Sequence, residues 1–227
     1  MKIEVYVLAW NEERLINQFI DWYAFADITV LDNYSTDTTV ELARSRGCSV
    51  IKYGSMQQDN QAMKQIKEDC WKNSKADWVV VCDMDEFLYH PRLLSLLEYT
   101  SATVIQTQGY QMVSEEPMPA IDLKFGSREP GLDKSICFRP GKITSMNWDH
   151  GCHHCNPIGE IRTLQNTVKM LHYSMLGKDN MKQRWSQYRA RMSQWDIDHG
   201  AGAHYLWPDS QIDQQFEKYK NTSEKVW

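Results

Sequence analysis

The chain has 227 residues, 42% hydrophobic and 24% charged, the proportions of a globular chain with one core of its own. Thirty acidic against 25 basic residues give a formal charge of −5, which offers no general attraction to phosphate backbones and argues against nucleic acid as a partner. The longest apolar runs, such as 78–82, fall far short of the roughly 20 residues of a transmembrane helix, and the six cysteines are too sparse for a disulfide scaffold, so a cytoplasmic, reducing location is expected.

Residues 3–9 alternate in polarity around an early acid and read as a first strand rather than a secretion signal. Residues 12–26 follow with Leu15, Ile16, Phe19, Trp22 and Tyr23 at helical spacing. A second strand spans 28–31. Ser35 or Asp37 can cap the next helix, which carries Val40, Leu42 and Ala43 and stops at Gly47; 49–52 is a third strand. Residues 57–74 set Met63, Ile66, Cys70 and Trp71 on one helical face, and 77–82 read as a central strand buried on both sides. This alternation predicts an α/β domain over 1–227, with an open, mostly parallel twisted sheet and helices on both faces.

Beyond it, Pro91 opens a short helix to Tyr99 and 103–107 form a strand. Residues 113–133, with Pro117, Pro119, Gly126, Pro130 and Gly131, are predicted as a long loop, and 147–160 as a second loop rich in His, Cys, Asn and Gly. Residues 168–172 are a late strand, 178–194 a basic amphipathic helix and 209–220 a terminal helix.

The first, second and fourth strands end in Asn11-Glu12, Asp32-Asn33 and Asp83 with Asp85. In open α/β sheets the ligand sits beyond the carboxyl ends of the strands, so these groups should meet in one crevice, with strand order 3-2-1-4 from right-handed crossovers. The turn Ala9-Trp10-Asn11-Glu12 lacks the glycines of a dinucleotide-binding loop, and no Walker loop occurs. Two carboxylates at i and i+2 after a buried strand are hard ligands suited to Mn²⁺ or Mg²⁺, which can bridge phosphate oxygens.

These residues, with Leu31-Asp32-Asn33-Tyr34-Ser35-Thr36-Asp37-Thr38-Thr39 and Val81-Cys82-Asp83-Met84-Asp85-Glu86-Phe87, resemble the nucleotide-sugar half of family 2-like glycosyltransferases with the GT-A fold, a Rossmann-like sheet with acceptor-side loops and helices. The resemblance implies a nucleotide-sugar-binding half at 1–112 and an acceptor-side half at 113–227. It implies Asn11, Glu12, Asp32 and Asn33 around the nucleoside, and Asp83 and Asp85 as an Asp-x-Asp element for Mn²⁺ or Mg²⁺. Lys169-Met170-Leu171-His172-Tyr173-Ser174 is similar to the family's late His-Tyr element, making His172 a third metal ligand, and Asp133 to Pro140 looks like its Lys-x-x-x-x-Arg-Pro strand, bringing in Lys134 and Arg139. The family's Glu-Asp pair for the catalytic base is missing; Asp149 is the first candidate, with Asp133, Glu115 and His150 open. The partners implied are a UDP-sugar donor and a glycan or lipid-linked saccharide acceptor, the latter able to hold the chain at a membrane surface without spanning it.

Two other readings use the same residues: a sugar-phosphate nucleotidyltransferase, which would need a glycine-rich basic loop after the first strand, and a non-catalytic carbohydrate-binding domain. Cys152-His153-His154-Cys155 has zinc-like spacing but no second ligand pair. Trp148, Trp185, Trp195 and Trp207 could stack on sugars, with Trp185 better placed for the core. Of Lys178, Lys182, Arg184, Arg189 and Arg191, most should form a solvated face, while Lys182 or Arg184 could reach a diphosphate.

Overall fold

The polarity alternation at the amino end becomes β1 (Ile3–Ala9), whose buried residues share one core with Ile16 and Phe19 of the short helix α1 (Ile16–Trp22) and with Tyr23 just after it. A computed structural model describes residues 1–117 and 119–227; the side chain of His150 also lies outside the described part. Helix α1 begins later than its apolar spacing predicts, because residues 12–15 form a turn in which the Leu15 and Ile16 N–H groups both donate to the Glu12 carbonyl. Next come β2 (Asp27–Asp32), α2 (Thr39–Ser45), β3 (Ser49–Lys52), α3 (Asn60–Asp69) and β4 (Trp78–Asp83). Helix α3 starts where Asp59 accepts from the N–H groups of Gln61 at 2.8 Å and Ala62 at 3.1 Å, satisfying donors that the first turn leaves free.

The remaining elements are β5 (Glu86–Tyr89), α4 (Leu93–Tyr99), β6 (Val104–Ile105), β7 (Gln108–Ser114), β8 (Phe125–Arg128), β9 (Cys137–Phe138), β10 (Ile143–Ser145), β11 (Ile158–Gly159), β12 (Thr163–Leu164), β13 (Lys169–Leu176), α5 (Lys178–Arg191), α6 (Gln194–Asp198), α7 (Asp209–Asn221) and β14 (Glu224–Lys225). The main sheet has seven strands in the order β12-β6-β9-β4-β1-β2-β3, parallel except where β9 runs against β4 and β6. The expected 3-2-1-4 order is therefore present, and the fold is a mixed α/β one with a mostly parallel sheet.

A second sheet, β14-β8-β7-β13-β5, corrects the sequence reading of the later half. Residues 86–89 are a strand paired antiparallel with β13, and the predicted loop at 113–133 contains β8. Phe87 of β5 joins the two sheets: its ring lies 5.5 Å from Phe19 beneath the main sheet and 5.0 Å from Tyr173 of β13. A smaller cluster of Met181, Trp185, Ile212 and Phe216 fixes α5 and α7 to β7 and β13 through Val113 and Met175, which makes Trp185 a core residue.

The change of direction between β4 and β5 depends on buried charge. The fully buried Glu86 accepts the Asp83 N–H at 3.1 Å and forms an ion pair with Lys134, itself 3% exposed. Removing one partner of such a pair leaves a charge without solvent or counter-charge. Lys134→Met is therefore expected to destabilise the chain by about 3–5 kcal/mol in urea unfolding, and a loss below about 1 kcal/mol, the range of an exposed pair, would contradict this account.

Candidate functional site

Strands β2, β1 and β4 lie side by side and end together, with Ala9 paired to Asp32 and Leu8 to Asp83. Two strand spacings of roughly 4.8 Å put Asp32 and Asp83 about 10 Å apart across β1, so the acidic strand ends share one crevice. Asn11 adopts a left-handed backbone with φ of 52°, a conformation asparagine tolerates. Its Oδ1 accepts the Thr36 N–H at 2.7 Å, its own N–H donates to Ser35 Oγ at 2.9 Å, and the Glu12 N–H donates to Thr39 Oγ1 at 2.7 Å. The hydroxyls of 35–39 thus tie the β1 turn to the β2 turn. Asp32 is fully buried; Oδ1 accepts the Ser35 N–H at 3.0 Å, while Oδ2 has no partner among the described residues. Asn33 donates to the Tyr53 and Ser55 carbonyls and accepts from Arg191 at 2.6 Å.

After β4 the two aspartates occupy different electrostatic settings. Asp83 Oδ1 is 2.8 Å from Lys67 Nζ, and Oδ2 is 4.0 Å from Lys134 Nζ. Burial works against its charge, but the two ammonium groups outweigh burial and hold the carboxyl below its usual range. Asp85 Oδ2 lies 3.4 Å from His172 Nε2; burial opposes the charge here too, yet His172 and Arg184 keep the carboxyl well below the ordinary value, and the His172 pKa is raised in turn.

The orientation of His172 follows from its other nitrogen. Gln111 Nε2 donates to the His172 carbonyl at 3.0 Å, which turns Gln111 Oε1 towards His172 Nδ1 at 2.8 Å. That oxygen can only accept, so Nδ1 carries the proton and, in the neutral ring, Nε2 offers a lone pair beside the Asp85 carboxylate. A ring nitrogen oriented through its second N–H is the usual arrangement of a metal-binding histidine. Asp85 and His172 therefore fit a hard or borderline divalent cation, whereas Asp83 is committed to Lys67. Among the described residues no group of three or more His, Cys, Asp or Glu side chains is arranged around a metal position. Two protein donors are enough where phosphate oxygens and water complete the shell, as is common for Mg²⁺.

Helix α5 closes over the strand ends. Arg184 donates to the Asn11 carbonyl at 2.9 Å and the Trp10 carbonyl at 3.3 Å and pairs with Glu12. Arg191 donates to Asn33 and to the Met56 carbonyl at 3.1 Å, with its guanidinium 3.8 Å from the centre of the Trp10 ring. Tyr188, which accepts from Arg184, stacks on Tyr205 at 4.9 Å. These arginines are structural parts of the crevice and not a solvated face. Burial, only partly offset by Arg184, pushes the Glu12 carboxyl up to about 8.

Other expected site residues are engaged elsewhere. Lys182, expected to reach a diphosphate, is paired with Asp213 of α7 at 2.7 Å. Arg139 donates to the Ala102, Leu97 and Thr100 carbonyls and lies 4.3 Å over the Trp78 ring, contacts that pack it against α4 and β4. Asp133 accepts the Gly109 N–H at 2.8 Å and pairs with Arg128 at 2.6 Å, so both of its oxygens are occupied in holding β7 and β8. Asp149 Oδ1 accepts the His154 N–H at 3.0 Å within the 149–155 loop. The His150 side chain lies outside the described residues. Burial pushes the Cys152 and Cys155 thiols up to about 11, so both stay protonated at neutral pH in the metal-free chain. Burial and Lys134 hold the His153 imidazole below its ordinary value, which puts this loop beside the lysines around Asp83.

Lys67 was legible and overlooked. It lies four residues after Met63 and four before Trp71, in the middle of the apolar stripe of α3, where a lysine is buried only if a partner awaits it. Tyr188, Arg191 and Tyr205 carried no comparable signal.

No protein-family model matches the sequence, and no curated protein does. Among solved structures the chain is similar to glucosyl-3-phosphoglycerate synthase from Mycobacterium tuberculosis in complex with Mn²⁺, uridine diphosphate and phosphoglyceric acid, with 23% identity, 48% of this chain and 43% of that chain covered, and a TM-score of 0.36. A complex of the same synthase with Mg²⁺ and uridine diphosphate gives 24% identity, 48% and 43% coverage and a TM-score of 0.36. TarS 1-349 from S. aureus gives 13% identity, 95% and 69% coverage and a TM-score of 0.48. The chain spans less than half the length of the synthase, at 43%.

The folded pKa of Glu12 lies above the roughly 4.3 of an unfolded glutamate. Its contribution to stability is thus fully present below about pH 4 and is lost as pH rises towards about 8, where the buried carboxyl ionises. Relative to Glu12→Gln, the wild-type chain should lose unfolding free energy over that window, by at most about 1.4 kcal/mol per pH unit. Paired urea titrations from pH 5 to pH 8 measure the difference; parallel profiles would show that Glu12 is already ionised beside Arg184.

Proposed function

We propose that the chain is a metal-dependent glycosyltransferase of the family 2, Asp-x-Asp type. It moves a sugar, of the hexosyl class, from a UDP-sugar to a hydroxyl of a glycan or lipid-linked saccharide, with inversion at the anomeric carbon. The observation that carries this reading is the Asp85–His172 pair, its free nitrogen oriented by Gln111, at the same strand ends as a buried Asp32 with an unpartnered oxygen. In this reading residues 1–112 hold the nucleotide sugar and 113–227 the acceptor. The six free thiols fit a cytoplasmic reaction, and among the described residues no helix is long and apolar enough to cross a membrane.

Asp85 and His172 would hold Mn²⁺ or Mg²⁺, which supplies charge stabilisation to the departing diphosphate. Asp32 Oδ2 would accept a donor N–H or O–H of the nucleoside, and Asn11 and Asn33 keep the two turns in shape for it. Lys67 and Lys134 hold Asp83 ionised at the crevice floor. Arg184 fixes Trp10, Asn11 and Glu12 and so limits the movement of the β1 turn. Asp149 would accept the acceptor hydroxyl proton as the oxygen bonds to the anomeric carbon and the bond to the diphosphate breaks. A base in this role must come within about 3 Å of that hydroxyl.

Release of UDP from a panel of UDP-glucose, UDP-galactose and UDP-N-acetylglucosamine, with Mn²⁺ or with chelator, tests the reading. Asp85→Asn should lose about 100-fold or more in turnover, equivalent to several kcal/mol of charge stabilisation, while melting like the wild type. Unchanged turnover in Asp85→Asn would refute the metal role, and pyrophosphate formation from UTP would make the chain a nucleotidyltransferase. Gln111→Leu, which removes the partner of His172 Nδ1, should raise the metal concentration for half-maximal activity roughly 10–100-fold.

A further inference from the structure

Outside the crevice, a groove of about 340 Å³ runs between α3 and the segment following β10, lined by Gln61, Lys64, Gln65, Ser145, Asn147 and Trp148, with Glu68 at its base. Its volume lies at the small end of the roughly 300–1,000 Å³ typical of ligand pockets, the scale of a single sugar unit. The far wall is firmly built: the Glu68 carboxylate accepts the N–H groups of Met146 at 3.0 Å and Asn147 at 3.2 Å and pairs with Lys72 at 2.7 Å.

With Glu68 so occupied, the groups left over are three carboxamides, one ammonium group and an indole N–H. The side chains of Gln61, Lys64 and Asn147 have no hydrogen-bond or ion-pair partner among the described residues, and Gln65 uses only its Nε2, on Asp69 at 2.5 Å. Trp148 is 1% exposed, and its indole N–H is buried without an acceptor among the described residues. Carboxamides present a donor and an acceptor side by side, the pattern that matches neighbouring hydroxyls, and tryptophan combines an apolar body with a polar N–H. An anion would meet Lys64 but also Glu68; an apolar ligand would strip water from three amides. A neutral polyol matches the three amides without either conflict.

The groove also communicates with the crevice. Lys67, on the inner side of α3, has its Nζ 5.7 Å from the Trp148 ring and 2.8 Å from Asp83 Oδ1. We propose that this groove is a subsite for a non-reacting sugar unit of the acceptor glycan. The assignment of that sugar to an acceptor rests on the glycosyltransferase reading; saccharide binding in the groove does not.

The test uses the full chain, uniformly ¹⁵N-labelled, without nucleotide or metal, titrated with cellobiose, maltose and N,N′-diacetylchitobiose to about 50 mM, enough to detect millimolar affinity. At least one disaccharide should shift the assigned Trp148 indole resonance, and Gln61→Ala and Asn147→Gly should each weaken that binding about 2- to 10-fold, the loss of one or two hydrogen bonds. Glycine is chosen because φ at 147 is 48°. Absence of a shift with all three sugars, or binding unaltered in both variants, overturns the proposal. A chain that releases UDP from a UDP-sugar yet shows no such binding loses the groove and keeps the transferase; one that binds through Gln61 without turnover does the reverse.

Discussion

Everything in the crevice depends on the balance of charge around Asp83. Four side chains, Lys67, Asp83, Lys134 and Glu86, are drawn from α3, β4, the segment before β9 and β5, and three of them have almost no contact with solvent. Each charge would be prohibitively costly to bury alone; together they are two acids against two bases, each with a direct partner. The network forces the chain to turn between β4 and β5, and that turn is where Asp85 emerges to face His172. The turn and the placement of Asp85 opposite His172 thus share one electrostatic arrangement with the start of β5.

Above this floor the crevice is closed by contacts of a different kind. Arg184 and Arg191 reach from α5 to the turns after β1 and β2 and bind mainly carbonyl oxygens. A guanidinium fork is suited to this because it can bridge two acceptors in a fixed plane, which a lysine cannot do. The floor is held by ion pairs and the cover mainly by cation-to-carbonyl bonds, so the strand ends are gripped from both sides while Asp83 and Asp85 keep their charge.

The amino-terminal half was legible because its signals are local. Apolar runs of strand length, helical spacing and right-handed crossovers suffice for β1 to β4 and their 3-2-1-4 order. The later half was not, because its strands owe their existence to distant partners. Glu86 resembles a loop acid until Lys134, 48 residues away, neutralises it. Gly126 looked like loop punctuation, yet a Cβ there would sit 2.6 Å from Met112 Sδ and 2.9 Å from the Gln111 carbonyl; it is a strand glycine required by close approach to β7. In the site, Asp85 and His172 could be singled out by residue type and order, whereas Gln111, which decides which nitrogen of His172 is free, offers no pattern at all. Lys182 and Arg184 were equivalent as sequence, two residues apart on one helix, and only the position of α7 sends the first to Asp213 and the second to Glu12.

The arginines of α5 read main-chain oxygens at Trp10, Asn11, Asn33 and Met56. A carbonyl is supplied by every amino acid. The exposed Met56 side chain can therefore drift through neutral exchange while the grip survives, whereas Trp10, Asn11 and Asn33 are also held through their side chains. The arginines have no such latitude, because losing either guanidinium leaves main-chain carbonyls without their donor.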